Sequence, residues 1–471
     1  MNNLPLRERL AAREMLLAPS WLMLPEGPAE GMGAVVADGR FAAVAPLAEI
    51  VAAHPHLAPI DLPATLLMPG FIDTHHHLTQ SFGKALAFGE PSEIFRRIWV
   101  PLEASLDQAS LYIAAKLAAL EALRGGFTTV CDAGTRAASG LEALARATGD
   151  AGIRCVAGLI CNDLGTEVLR ADLLAAAERF LGAWPADGLL HPSLAISIAE
   201  AASDDMLRDV SRMAAARGAV FQIHVNEHLA SVERSLVARG MRPLEHLDHA
   251  GALGPQTLVA HSTLMAAHEY NLLRESGTAV AYNPVASAWK GNAVADAPLM
   301  AALGIRFGLG TDGTRSDGFR LMDAAEAAQR YTRGIANGDS SSGGGWLWFD
   351  RATRGGADAA GLSRVTGAIQ AGLAADFLLV DLDVPEMKPS WDLTWELVRL
   401  AARDQIVSVH VAGKLRLWQG WPVDWDARVL MAEVDAIARD AVAKAPIQKI
   451  HPPSREHRAE VVRRGWERPG D

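Results

Sequence analysis

Eight short apolar runs, alternating with longer Ala/Leu-rich stretches, constrain this chain more than any other feature of its sequence. The runs end at Asp73-Thr74-His75, Val130-Cys131-Asp132, Ile160-Cys161-Asn162, Ile196-Ser197-Ile198, Ile223-His224-Val225, Val259-Ala260-His261, Val280-Ala281-Tyr282 and Leu309-Gly310-Thr311-Asp312. Each reads as a buried strand, and the stretches between them read as amphipathic helices. The clearest helix starts after Asp107, a good N-cap, and runs through Leu111, Ala114, Leu117, Leu120 and Leu123. It stops at Gly125-Gly126, as helices often do. Eight strand–helix repeats predict an α/β fold of the (β/α)8 TIM-barrel type, in which functional residues sit at the C-terminal ends of the strands.

A barrel of this kind leaves part of the 471 residues unassigned. From Met15 to about Thr65 the chain is short β-like pieces, with Asp38-Gly39 as a hairpin signal. Similar material returns at Asp376–Asp381 and Ile406–Val411, and Ala412-Gly413-Lys414 turns into Leu415-Arg416-Leu417. The expected organisation is therefore a small β-sandwich domain built from both termini, residues 1–66 and 368–425. It flanks a barrel at 67–367, and a helical and polar tail follows at 426–471. Ala336 to Gly345 reads as a solvated Gly/Ser loop rather than a lid, and the basic stretch after Ile450 as peripheral.

Composition narrows the function. Net charge is −11 with Lys and Arg scattered, which argues against nucleic acid or an anionic membrane as partner. Three cysteines, Cys131, Cys155 and Cys161, make no disulfide framework and fit core packing in a reducing cytosol. The N-terminus lacks the apolar stretch of a signal peptide, and no run approaches the roughly 18 apolar residues of a membrane span. A soluble, cytoplasmic protein is expected.

The chemistry concentrates in Met68 to Gln80. Met68–Ile72 reads as a buried strand leading into Asp73, Thr74 and three histidines. Alternate side chains of an extended strand share a side, so His75 and His77 converge while His76 faces away. Two neutral imidazoles so placed suit a divalent transition metal, zinc above all. His224, Glu227, His261 and Asp312, at later strand ends, are the residues that could complete one centre. His224 follows the β-like run Ala219–Ile223, so it sits at a strand end and not on a metalloprotease-type helix.

Pro69-Gly70-Phe71-Ile72-Asp73-Thr74-His75-His76-His77, His224-Val225-Asn226-Glu227, Ala260-His261-Ser262 and Leu309-Gly310-Thr311-Asp312-Gly313 occur in that order. In this the chain resembles the amidohydrolase superfamily. The likeness is to its mononuclear-metal aminohydrolase and chlorohydrolase branch: guanine deaminase, adenosylhomocysteine-type deaminases, cytosine deaminase and the s-triazine hydrolases. It extends over roughly Met15 to Asp424. The resemblance implies one divalent ion, zinc before iron(II) or manganese(II), ligated by His75, His77, His224 and Asp312. It also implies Glu227 as proton shuttle, His261 as the residue orienting the water, and Asp312 as the base that accepts the water's proton. The fourth strand, Leu194–Glu200, lacks the lysine that two-metal relatives carboxylate, which favours a single ion. His76 and His228 are read as structural.

The implied reaction is hydrolytic deamination of an amino-substituted purine, pyrimidine, pterin or s-triazine, with release of ammonia. The alternative is displacement of chloride or alkylamine from an s-triazine-like ring. The remote alternative, a non-catalytic binding relative, would have lost one of these residues, and none is missing. Gln80, Glu93, Trp289 and Asp317 are the candidate substrate contacts. Ala286-Ser287, where nucleoside deaminases show Ser-Asn, and Thr314-Arg315-Ser316-Asp317 both depart from the nucleoside pattern. The expected partner is a small heterocycle, and relatives often form homo-oligomers.

Overall fold

The computed structural model describes residues 4–90, 94–138, 140–338, 343–451 and 454–464. Two sheets organise it. The first runs in chain order through β6 (Phe71–His76), β7 (Phe127–Asp132), β8 (Arg154–Ile160), β9 (Leu190–Ile198), β10 (Phe221–Val225), β11 (Thr257–His261), β12 (Ala279–Tyr282) and β13 (Phe307–Leu309). All seven neighbouring pairs are parallel. This is the eight-stranded barrel, with helices between successive strands as the hydrophobic pattern requires. The helix Gln108–Arg124 has Asp107 as its N-cap, accepting the Ser110 N–H at 2.8 Å, and ends at Gly125.

Among the described residues no ladder joins β13 to β6. The seam is instead closed by the strand ends themselves. The Asp312 N–H donates to the His75 carbonyl at 2.8 Å. The Asp73 carboxylate accepts from the Thr311 N–H at 2.9 Å and the Thr311 hydroxyl at 2.5 Å.

The second sheet takes strands from both ends of the chain: β1 (Met15–Leu24), β2 (Gly27–Glu30), β3 (Met32–Ala37), β4 (Arg40–Pro46), β5 (Pro59–Pro69), β14 (Phe377–Asp381), β15 (Ile406–Val411), β16 (Lys414–Trp418) and β17 (Trp421–Pro422). The Asp38-Gly39 hairpin lies between β3 and β4. All pairs are antiparallel except β1 with β5. The sheet curls: Val36 and Phe41 from one end and Leu415 from the other share a core with Leu17, Leu67 and Phe377. A buried ion pair links it to the barrel, Arg154 of β8 reaching Asp376 at 2.9 Å.

The apolar run Met68–Ile72, expected as one strand, is divided between the two sheets. Met68 and Pro69 pair with β14, whereas Phe71 pairs with β7. The chain crosses at Gly70, where a Cβ would lie 2.2 Å from the Thr128 side chain. Periodicity cannot locate such a crossing, because both halves are equally apolar.

The three cysteines are buried and free. Of the expected Gly/Ser loop, 339–342 lies outside the described residues; Gly345 already opens the helix Gly345–Ala352. Near the C-terminus the helix Ala427–Lys444 packs on Gln108–Arg124. The chain then returns to the Glu90 carboxylate, which accepts the Ile450 and His451 N–H groups at 3.0 and 3.2 Å. The helix Ser454–Arg463 buries no residue. Among the described residues no helix is long and apolar enough to cross a membrane.

Candidate active site

The C-terminal ends of β6, β10, β11 and β13 meet over the barrel mouth and bring five predicted side chains together. His75 and His77 each place Nε2 3.3 Å from Asp312 Oδ1. His77 Nε2 lies 3.2 Å from His224 Nε2. The ligand atoms of His75, His224, His261 and Asp312 all fall within 4.8 Å of one another. His76 turns away as expected, its Nδ1 shared between Asp73 at 3.1 Å and Thr311 at 2.7 Å.

The tautomers follow from the partners behind each ring. His224 Nδ1 donates to the Ser197 carbonyl at 2.7 Å, so Nε2 keeps its lone pair and points it into the site. His261 Nδ1 accepts from the Asn283 amide at 3.2 Å, which leaves the proton on Nε2. That nitrogen lies 3.6 Å from Glu227 Oε2 and 3.8 Å from Asp312 Oδ2. His75 Nε2 is buried without a hydrogen-bond partner. Buried polar atoms are rarely left so. Converging lone pairs beside a carboxylate suit a divalent cation.

Electrostatics agree. Burial lowers His75, holds His224 well below the usual imidazole value and pushes His261 down to about 3, so these rings are neutral near pH 7. For Asp312 burial acts upward, but Lys290, His75, His77 and His261 outweigh it and hold the carboxyl well below its usual range. Glu227 behaves likewise, with His261, Lys290 and His228 overcoming burial. The site therefore presents neutral nitrogens and ionised oxygens, the protonation state that a metal requires.

The backbone here is held in an uncommon conformation. Asn226, His261, Ser262 and Asp312 have φ of 51°, 79°, 49° and 53°. Left-handed non-glycine residues cost free energy and cluster where side chains must be aimed.

Above the cluster opens a cleft with Phe95, Trp99 and Ile94 as an apolar wall and Arg96, Ser231 and Arg234 among its polar lining. The aromatic wall suits a flat ring. Gln80 lines the cleft and donates its amide to Glu103 at 3.1 Å. Glu93 lies outside the described residues. Two of the expected substrate contacts are elsewhere. Trp289 is 40% exposed and packs edge-on against Phe88 away from the cleft lining. Asp317 caps the helix Gly318–Gln329 by accepting the Arg320 N–H at 3.2 Å, so its carboxylate is committed to the helix terminus.

Four contributors escaped the sequence reading. Ser197 and Asn283 orient His224 and His261 through contacts that no spacing announces. Arg136 donates to Ser197 Oγ at 2.9 Å and to Glu103 at 2.7 Å. Lys290, noticed only as a departure in the loop after β12, reaches Glu227 and Asp312.

The comparisons with known proteins point the same way. The model of the amidohydrolase family matches residues 66–416. A 5'-deoxyadenosine deaminase of Methanopyrus kandleri is 30% identical over 370 residues, covering 78% of this chain and 84% of the relative. A 5-methylthioadenosine/S-adenosylhomocysteine deaminase of Syntrophobacter fumaroxidans is 28% identical, covering 88% and 93%. Among solved structures, a zinc-bound adenosine deaminase from Xanthomonas campestris superposes with a TM-score of 0.83 at 25% identity, covering 92% and 99%. The zinc complex of atrazine chlorohydrolase from Arthrobacter aurescens gives 0.80 at 19% identity, covering 90% and 100%, a likeness of fold. The parallel barrel, the strand-end histidines and aspartate, and a family match spanning both place this chain in the amidohydrolase family.

Proposed function

We propose that this protein is a zinc-dependent aminohydrolase that removes an exocyclic amino group from a nitrogen heterocycle, with adenine-type rings the first class to test. The observation that carries the reading is the position of Glu227. Its carboxylate lines the cleft while facing His261 and the His/Asp cluster. One side chain can thus reach both the attacking water and the ring nitrogen.

Histidines 75, 77 and 224 with Asp312 fit a divalent ion by donor type and convergence. When bound, the ion supplies Lewis acidity that brings the pKa of water toward neutrality. The residues then divide the remaining work. Asp312 and Glu227, both ionised, accept protons from water as it attacks the amidine-like carbon. The His261 Nε2–H donates toward the developing oxyanion, its tautomer held by Asn283. Glu227 returns its proton to the ring nitrogen, the proton taken by Asp312 passes to the exocyclic amine, and the tetrahedral carbon then expels that amine as ammonia. Phe95 and Trp99 exclude water from one side of the ring and orient it.

The relatives named for 5'-deoxyadenosine and 5-methylthioadenosine support an adenine ring first. Ammonia release from aminopurines, aminopyrimidines, pterins and amino-s-triazines tests the proposal, with Glu227→Gln in parallel and metal content measured for both. We expect turnover of one ring class, lost by at least about 100-fold in Glu227→Gln, with the ion retained. Chloride or alkylamine release without ammonia would replace deamination by the displacement reaction. Failure to hold an ion would overturn the proposal altogether.

A further inference from the structure

Lys290 ends the helix Pro284–Lys290, which starts with proline in its first turn and stops at the left-handed Gly291, φ 66°. Its ammonium donates to Glu227 Oε1 at 2.7 Å and to Asp312 Oδ2 at 2.5 Å. On each carboxylate it takes the oxygen other than the one closest to His75, His77 or His261, although Asp312 Oδ2 also lies 3.8 Å from His261 Nε2. Asp312 keeps Oδ1 for His75 and His77, and Glu227 keeps Oε2 for His261. The Glu227 oxygen that Lys290 holds is also approached by His228 Nε2 at 3.2 Å and Asn292 Nδ2 at 3.5 Å.

A carboxylate can exchange its two oxygens by rotation, and a shuttle or ligand that does so presents the wrong lone pair for part of the time. One cation bonded to a single oxygen of each group fixes both planes together. We propose that Lys290 is a positioning residue that couples Asp312 to Glu227, locking the oxygen that faces the histidines and the oxygen that faces His261. The inference rests on the roles proposed for those two carboxylates. A lysine suits it because a compact ammonium can bridge oxygens from two different residues. The planar guanidinium of arginine favours two oxygens of one carboxylate. The site also lies too deep for a solvated role: Lys290 and Asp312 are 14% and 4% exposed at the side chain.

The test uses full-length protein as Lys290→Met, which keeps an apolar stem, and Lys290→Gln, which keeps a donor. Zinc affinity is measured by chelator competition, and kcat and KM on the ring that the panel identifies. We expect Lys290→Met to bind zinc about tenfold more weakly. Its kcat should fall by about 100-fold with KM little changed, since an interaction acting through the shuttle is expressed in the transition state. Lys290→Gln should recover part of both. Adding Lys290→Met to Glu227→Gln should cost much less than it does in the wild type, because the two act as a unit. Unchanged zinc affinity and kcat would overturn the clamp. Faster turnover in Lys290→Met would overturn it too, and would make the lysine an obstruction to substrate. Absence of ammonia from every ring with the wild type would count against the deaminase reading. The zinc competition would still decide the Asp312 half of the clamp, with thermal melting confirming that each variant folds.

Discussion

His261 illustrates how much of a functional side chain is decided by residues that do not share its motif. Its strand position was legible, because alternation along an extended run places ligand-type residues at strand ends. Its protonation was not, because that depends on Asn283, 22 residues on in sequence. Removing this partner frees the imidazole to adopt the other tautomer. Asn283→Ala should therefore lower kcat by about 10- to 100-fold while metal content stays at the wild-type level; kinetics and metal analysis on one sample check this. Lys290 was opaque for a related reason. A lysine after a strand is ordinarily solvated, and nothing local says that this one turns inward. Trp289 and Asp317 show the converse, residues beside the motifs whose side chains are taken by Phe88 and by a helix terminus.

At the scale of elements, the eight barrel strands were readable because each is an apolar run bounded by turn residues. The Met68–Ile72 crossing was not, since no pattern separates the end of β5 from the start of β6. Gly310, just beyond β13, belongs to this scale. A Cβ there would lie 2.2 Å from Asn283 Oδ1 and 3.0 Å from His75 Cβ. Gly310→Ala must therefore push apart the strand that carries His75 and the loop that orients His261. Zinc affinity should drop by roughly tenfold or more, and chelator competition beside a circular dichroism spectrum separates this from global unfolding.

For the whole molecule, the curled sheet from the two termini stores a pH sensitivity unrelated to the site. His410 on β15 is buried against Phe377, with ring centroids 4.1 Å apart, and its Nε2–H donates to the Leu10 carbonyl at 3.1 Å. Burial, the largest influence, pushes its pKa from 6.5 down to about 4. Above pH 6.5 the ring is neutral in both folded and unfolded chains, and stability is unaffected. As pH falls from 6.5 toward 4 only the unfolded chain takes up the proton, so stability declines. This group alone should remove about 3 kcal/mol across that window. Urea denaturation at pH 7 and pH 4 should show a correspondingly smaller acid loss in His410→Gln. An equal loss in both proteins would assign the acid sensitivity elsewhere.

The barrel seam carries a consequence for how the protein comes into being. Thr311 and Asp73, which clasp it, are 238 positions apart, and His75 and Asp312 join across the same gap. Chain closure over such a span is slow and belongs late in folding. During synthesis, seven strands can stack while the machinery for chemistry does not yet exist. On the roles proposed for these residues, a chain truncated before Asp312 should be inert rather than impaired. Tight zinc uptake would thus report that the last piece of the barrel has docked.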